Sequence, residues 1–583
     1  MKRAPQLLLL SLVLVALLCA TAAAEEWIPV EAETTVEVVA EWNEPDSPLL
    51  AMAHSDNLIY FEDIDAPLQA FLQTRARCIF DTLRPSQLMQ RLSWVTELDL
   101  SEYPGTLTDA RWLWMFENLT SITLTDATFA DLNIIGEFTQ LQELTLLNCG
   151  YFSLVPLENC TALTSLTLGW DADYQGETGT FDLTPLTSLK KLVTLALYGS
   201  GMTDLSPLSS IAKRISTLTL SNTAAEDYAP LKKLTGLKSL TLDLLQSDTA
   251  AEILGLCSKS AKVLTLQELI FDSDVEAAAQ KYKSLTDYAL IDCDVSNELF
   301  YEDLNKSTRL TLQSIAVSDG TEIGYVYADK TAMVLEGTPE PVMLSLLNSR
   351  STGLSALTMD LESLSEDMNA MLRKKTSLNT LTLCLNADTD LAGTAWKKIT
   401  GIRTLTIESE GSTLLSTDFL NDLINVRTLT LSGVQVDDPA GIGTAKNINT
   451  LCVYGCKISD WSFLADMFKL ETVKVYASGI TNDVLPYFAD VSTLTELRLD
   501  GNEITDISAL AGNDTITKLD ILDNPIEDYS TLLSMTGLST VYSNGNGGIT
   551  SHTIMIRSVY IDDVDYDAIY AAAFGAEDGT AAE

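Results

Sequence analysis

The amino-acid sequence predicts an α/β solenoid, a curved stack of short parallel strands whose concave face is one sheet and whose convex side carries short helical, 3-10 or loop segments. Three observations predict it. A pattern L-x-x-L-x-L, with Leu, Ile and Val interchanging, opens 20 units between Val95 and Leu538. All but one of the spacings between successive units are 22 to 24 residues. Finally, L-x-L alternation turns one face of a short strand inward and the other outward. A unit of this size cannot bury its own apolar face, so neighbouring units must stack and share a continuous core.

The elements follow in order along the chain. Met1-Lys2-Arg3, an apolar run from Leu7 to Leu18 and Ala22-Ala23-Ala24 read as a secretory signal over residues 1–24, cleaved after Ala24. The run is shorter than the roughly 20 residues of a membrane span. Cys19 follows Ala16-Leu17-Leu18 and lacks the small preceding residue of a lipobox, so lipid attachment is not expected. Residues 25–58 are an acidic, Pro-containing lead-in, and residues 59–94 precede the first unit.

The units occupy residues 95–544, and their pattern is that of a leucine-rich repeat. They open at Val95, Leu119, Leu141, Leu163, Leu192, Ile215, Leu237, Ala261, Leu285 and Ser307. Lys330, Leu354, Leu378, Ile402, Val426, Ile448, Leu470, Leu494, Ile516 and Leu538 open the remainder. Ser307 and Lys330 are the poorest matches. Each inward Leu or Ile contributes ~1.5–3 kcal/mol on burial, so a weak unit such as that at Lys330 is carried by its neighbours. With ~4.8 Å between strands, 19 steps give a sheet roughly 90 Å long. Gly545-Asn546-Gly547-Gly548 ends the periodicity. Residues 545–583 then read as a C-terminal cap, with a closing strand pair over 549–567, and an acidic disordered tail.

Met202-Thr203-Asp204-Leu205-Ser206-Pro207-Leu208 and Ile504-Thr505-Asp506-Ile507-Ser508-Ala509-Leu510 resemble the I-T-D-I-S-P-L half of internalin-type bacterial leucine-rich repeats. The stretch from Leu494 to Asn524 carries the likeness best. It spans about Ile59 to Asn544 and is degenerate between Leu244 and Asp360. The resemblance implies a helical N-terminal cap over 59–94 and a secreted or surface protein that binds partners with its concave sheet. The family's Asn position, three residues past the last strand Leu, is held here by Asn502 and Asn524. Cys149, Cys293 and Cys456 hold the same slot in other units, with Ser200, Thr223 and Ser478 elsewhere. A buried thiol there donates to loop carbonyls and fills volume, so these cysteines read as structural rungs. Cys452 differs, since its register points it outward.

Composition narrows the function classes. A formal charge of −45, from 81 acidic and 36 basic residues, repels nucleic acid and anionic membranes and keeps a long molecule soluble. Nine cysteines without a CxxC pair, and only two histidines, His54 and His552, disfavour structural zinc. No second long apolar segment and no LPxTG-like motif follows the signal, so the expected location is secreted or cell-surface, without membrane insertion. No G-x-S-x-G elbow, P-loop or dinucleotide fingerprint is present, and the chain does not read as an enzyme.

The outward residue inside L-x-L is Thr in 11 units, among them Thr123, Thr241 and Thr430, a good strand former that says little about a partner. That uniformity ends near the C-terminus. Tyr454 and Tyr476 fall in one column, Lys474 and Arg498 in the next, with Asp500, Lys518, Asp520 and Tyr542 following. Tyr and Arg are enriched at binding hot spots; the competing account is a salt-bridged strand ladder with incidental tyrosines. The one long spacing, 29 residues from Leu163 to Leu192, inserts a loop whose Trp170 and Tyr174 are candidate partner contacts. Asp171, Asp173 and Asp182 in that loop match acidic places of an EF-hand-like calcium loop, though the flanks do not read as helices. The sequence thus predicts a binding protein for a protein or glycan partner, with a structural envelope or matrix component as the alternative. No cofactor is expected beyond that calcium candidate.

Overall fold

The computed structural model describes residue 64, residues 66–76, residues 90–543 apart from 104, 106, 129–130, 151, 177, 302–306, 351–352, 364 and 392–395, and residues 558–560. The expected signal, the lead-in and most of the closing segment lie outside the described residues. A helix at Ala66–Ala76 precedes the repeats.

The molecule is a leucine-rich-repeat solenoid. Each of the 20 units contributes one parallel strand, from Glu97–Asp99 to Thr540–Tyr542, and Ser558–Tyr560 adds a twenty-first. Registers run unit to unit without slippage over long stretches. Thr123 faces Thr145 and Thr145 faces Thr167, for example, while Leu124, Leu146 and Leu168 line up beneath them. The inward residues Leu166, Leu168, Leu218, Leu220, Leu497 and Leu519 are fully buried, and the residues between them are half-exposed. One continuous core therefore runs the length of the stack.

The convex returns are short because a side chain starts them. Asp204, Asp227, Asp460, Asp506 and Asp528 each accept the backbone N–H two residues on at 2.7–2.9 Å. That Asx turn nucleates a single helical turn, such as Ala229–Lys233 or Ser462–Asp466. The aspartate of the T-D-x-S-P-L motif is thus a turn former.

The strand exits are equally regular. Two residues beyond the inward residue that closes a strand, the chain takes a left-handed conformation, with φ of 45° to 60° at Asp126, Asn148, Asn222, Leu244, Glu268, Asp292, Ser314, Ala477 and Asp523. Gly199, Gly433, Gly455 and Gly501 occupy the same place in other units. Asp and Asn enter this region readily and glycine freely, whereas Leu244 and Ala477 hold it at a cost of about 1–2 kcal/mol each.

One residue later sits the rung slot. Asn502 Nδ2 donates to the carbonyls of Val475, Leu499 and Asp500 at 2.8, 2.8 and 3.1 Å. Asn524 Nδ2 donates to Leu499 and Leu522. The thiols do the same work: Cys149 donates to Leu124 and Leu147, Cys293 to Leu266 and Ile291, and Cys456 to Tyr454. Burial pushes the Cys149 thiol up to about 12, which leaves it unreactive. Ser200 departs from the expected slot and is exposed. Next to it, a Cβ on Gly201 would stand 2.3 Å from the Trp170 ring, so the indole fills that space instead.

Among the described residues the stack is broken once. Strand Arg309–Val317 is followed by Glu322–Ala328, which runs antiparallel to it and to the next strand, Ala332–Glu336. Parallel order resumes with Ala356–Ser363. The expectation of an ordinary weak unit from Ser307 to Lys330 is corrected: its strand is present, but its return is a strand of the same sheet and not a convex segment. The cause is local. Val317-Ser318-Asp319-Gly320-Thr321 closes a tight hairpin, with Gly320 at φ +88° and Val317 N–H donating to Thr321 O at 2.8 Å. Inward residues still align across the break, Leu312 with Val326 and Val326 with Leu335, so the core is uninterrupted.

Candidate binding surface

Most of the concave face is the expected threonine file. Thr358, Thr382, Thr406 and Thr430 succeed one another strand by strand, and then Cys452, Lys474, Arg498, Asp520 and Tyr542 continue the same file. The neighbouring file reads Ser432, Tyr454, Tyr476, and then Asp500. The structure therefore brings Tyr454, Tyr476, Lys474, Arg498, Lys518 and Tyr542 onto one surface, as the register requires.

Their contacts are specific. The Tyr454 and Tyr476 rings stack with centroids 4.9 Å apart and planes 9° from parallel, the separation of adjacent strands. Arg498 Nε donates to Glu496 Oε1 at 2.8 Å, and its Nη1 lies 3.9 Å from Asp520 Oδ2. The guanidinium also stands 5.8 Å from the Tyr542 ring centroid. Lys518 Nζ is 3.7 Å from Glu496 Oε2. Lys474, half-exposed at the centre of the group, makes no ion pair among the described residues.

Two carboxyls complete the cluster. Asp500 and Asp520 are 2% and 4% exposed and hydrogen-bond each other. Burial, and then Asp520, push the Asp500 carboxyl up to about 9, and burial raises Asp520 as well. Arg498 works the other way. Burial alone lowers its pKa, but Tyr476, Glu496 and Asp520 outweigh that and raise it. Burial would raise the Glu496 carboxyl as well, yet the Arg498 hydrogen bond and charge bring it below its ordinary value. The salt-bridged ladder and the aromatic patch are therefore one object: ion pairs hold the arginine, and the tyrosines line up beside it.

Other expected residues fall elsewhere. Cys452 has the outward register expected of it but is only 7% exposed, covered within the patch. Trp170 is withdrawn as a partner contact: it is 2% exposed, stacks on Phe181 at 4.8 Å, and donates from Nε1 to Gly150 O at 3.1 Å. The long loop turns inward and makes an aromatic mini-core, with Tyr174 stacked half-buried on Trp170 at 6.4 Å. This loop leaves the strand Ser165–Gly169, 13 strands before Thr450–Tyr454, or roughly 60 Å along the sheet.

The calcium candidate is corrected too. Asp171 accepts Asn148 Nδ2–H at 2.6 Å, and Asp182 is the Asx-turn residue of its own unit, accepting Thr184 N–H at 2.9 Å. Among the described residues, no three His, Cys, Asp or Glu side chains, Asp171, Asp173 and Asp182 included, come together in a way that could hold a metal ion.

Two tyrosines escaped the sequence reading. The antiparallel strand places Tyr325 opposite Gln313 and Glu336, and Tyr327 opposite Thr311 and Val334, all outward-facing. Tyr327 Oη–H donates to Asp329 Oδ2 at 3.1 Å. The signal for this strand was present in Asp319-Gly320 between two alternating apolar runs.

No protein-family model matches the chain, and no curated protein matches it. Solved structures do. An internalin of Listeria monocytogenes is 16% identical, covering 78% of this chain and 95% of its own, with a TM-score of 0.25. A second internalin of that species, an internalin C2, is 19% identical over 43% of this chain and 93% of its own, at 0.27. The leucine-rich-repeat ectodomain of a plant membrane receptor kinase from Arabidopsis thaliana, in complex with Casparian strip integrity factor 2, is 17% identical, covering 77% of this chain and 56% of its own, at 0.34. These likenesses reach no further than the repeat architecture already evident in the strand ladder.

Proposed function

We propose that this chain is an exported binding protein that recognises a macromolecular partner, protein or glycan, with the C-terminal part of its concave face, and that it does no chemistry on that partner. One observation carries the reading: a threonine file gives way, over five adjacent strands, to stacked tyrosines beside a doubly ion-paired arginine. Such side chains are large, rigid and fixed before contact, which lowers the ordering cost of binding. The Asp500 and Asp520 carboxyls of the cluster are buried and engaged with each other. No helix among the described residues is long and apolar enough to cross a membrane.

Cross-linked capture from the protein's native surroundings tests this, run with the wild type beside Tyr476→Ala/Arg498→Ala. The wild type is expected to retain a partner that the variant loses by about tenfold or more. Equal retention by both would remove this surface from the function.

A further inference from the structure

The charges of the patch differ from those of the molecule that bears it. The chain carries −45 overall, yet here three cations, Lys474, Arg498 and Lys518, meet Glu496 and the buried pair Asp500 and Asp520. Within the cluster, Glu496 is taken by Arg498 and Lys518, and Asp520 by Arg498 and Asp500. A cationic partner would find Glu496 and Asp520 already ion-paired and Asp500, whose Oδ1 has no hydrogen-bond partner, buried out of reach. An anionic one would be repelled by the molecule at long range and would find two of the three cations already paired.

What the surface still offers is uncharged chemistry. Tyr476 is half-exposed; Tyr454 covers one side of its ring, and the next residue in the file is the short Asp500. Lys474 makes no ion pair among the described residues, though its charge acts on Glu496, and the two phenols, Ser432 and the threonines of the flanking file, Thr450 and Thr472, donate and accept. Half-exposed hydroxyls and one ammonium around a ring face match a ligand whose every polar group both donates and accepts, and whose ring has an apolar C–H face.

Resting on the binding role above, we propose that the ligand is a neutral glycan, seated by one sugar ring on the side of Tyr476 turned away from Tyr454 and held by hydroxyl hydrogen bonds to Lys474 and the neighbouring tyrosines.

Affinity electrophoresis of the full chain in gels containing a soluble neutral β-glucan, mannan, xylan or galactan tests this, with a polyuronate gel and immobilised poly-lysine as charged probes. Retardation by at least one neutral polysaccharide is expected, changing less than about twofold between ~0.05 and ~0.5 M salt because no ion pair is made. Tyr476→Ala should weaken it about tenfold, and Tyr476→Phe, which keeps the ring, about twofold or less. Lys474→Ala, at a half-exposed side chain without an ion pair, leaves the fold intact and should weaken it about threefold. Binding that appears only on poly-lysine or polyuronate and fades with salt would overturn the inference, as would no retardation in any neutral gel. In those cases the capture experiment still decides separately whether the surface binds a protein.

Discussion

The turns from Leu494 to Val541 and the segment from Arg309 to Glu336 use the same inward leucine columns but solve the return journey differently. In the C-terminal turns each unit carries its own kit: an Asx-turn aspartate at Asp506 or Asp528, a rung at Asn502 or Asn524, and a left-handed exit at Gly501 or Asp523. In the middle segment the left-handed exit is kept at Ser314, and Asp319 accepts Thr321 N–H at 2.8 Å, but that turn closes a hairpin and not a helical turn. The rung slot after Leu312 is the apolar Ile315, as it is Leu245, Leu269 and Val434 in units whose returns are helical, so the rung does not set the topology. The chain instead satisfies its backbone by returning as an antiparallel strand. The comparison teaches that the inward leucines specify the stack, whereas the turn that follows the strand specifies the return. With a hairpin at Val317–Thr321 in that place the core survives and the topology changes.

The comparison breaks most visibly at the rung. Asn502→Ala strands the carbonyls of Val475, Leu499 and Asp500 in the core, and a loss of about 3 kcal/mol is expected in denaturant unfolding. Asn502→Cys should recover part of it, since Cys149 and Cys293 already make such bonds in this molecule. If cysteine proves no better than alanine, the equivalence of thiol and amide rungs fails.

A smaller effect sharpens the other side. Gly320→Ala, at φ +88° with open space around its Cβ, should cost about 1–2 kcal/mol through backbone strain alone. Hydrogen exchange should localise the loosening to Glu322–Ala328, because each strand of the hairpin has a separate partner on its other side. Loosening of the whole stack would show that the break is a keystone rather than a patch.

The smallest expected change is a gain. The Asp500 carboxyl has a folded pKa raised above its unfolded one, so its contribution to stability is full in acid, below the ordinary carboxylate range, and is lost as pH rises toward about 9. Asp500→Asn keeps a donor for Asp520 and removes that dependence. It should stabilise the fold by about 1 kcal/mol at neutral pH and by nothing near pH ~4. Thermal melts at the two pH values check this, and a gain equal at both would assign the effect to packing rather than to the proton.

Much of this was legible in the chain. Alternation and spacing place all 20 strand openings and put Tyr454, Tyr476, Lys474 and Arg498 in adjacent columns, because the register of a parallel stack is fixed by which residues must face the core. The rungs were legible for the same reason, as a slot that recurs at constant distance from a buried leucine. Trp170 was not. An aromatic in a long loop reads as exposed until one knows that Gly201, 31 residues on, leaves a space its ring can fill. Asp171 and Asp182 likewise looked like ligands only while their hydrogen-bond partners, Asn148 and Thr184, were out of view.

By itself, then, the sequence determined the leucine-rich-repeat stack and the columns of its concave face, since both follow from periodicities written into each unit and read without knowledge of distant contacts. Tertiary structure decided the antiparallel return of Glu322–Ala328, the inward fold of the Trp170 loop, and the burial of Asp500 against Asp520. Each of those depends on what a neighbouring strand or turn offers in space: an open edge, an empty volume, a second carboxylate. Such offers exist only once the units have stacked.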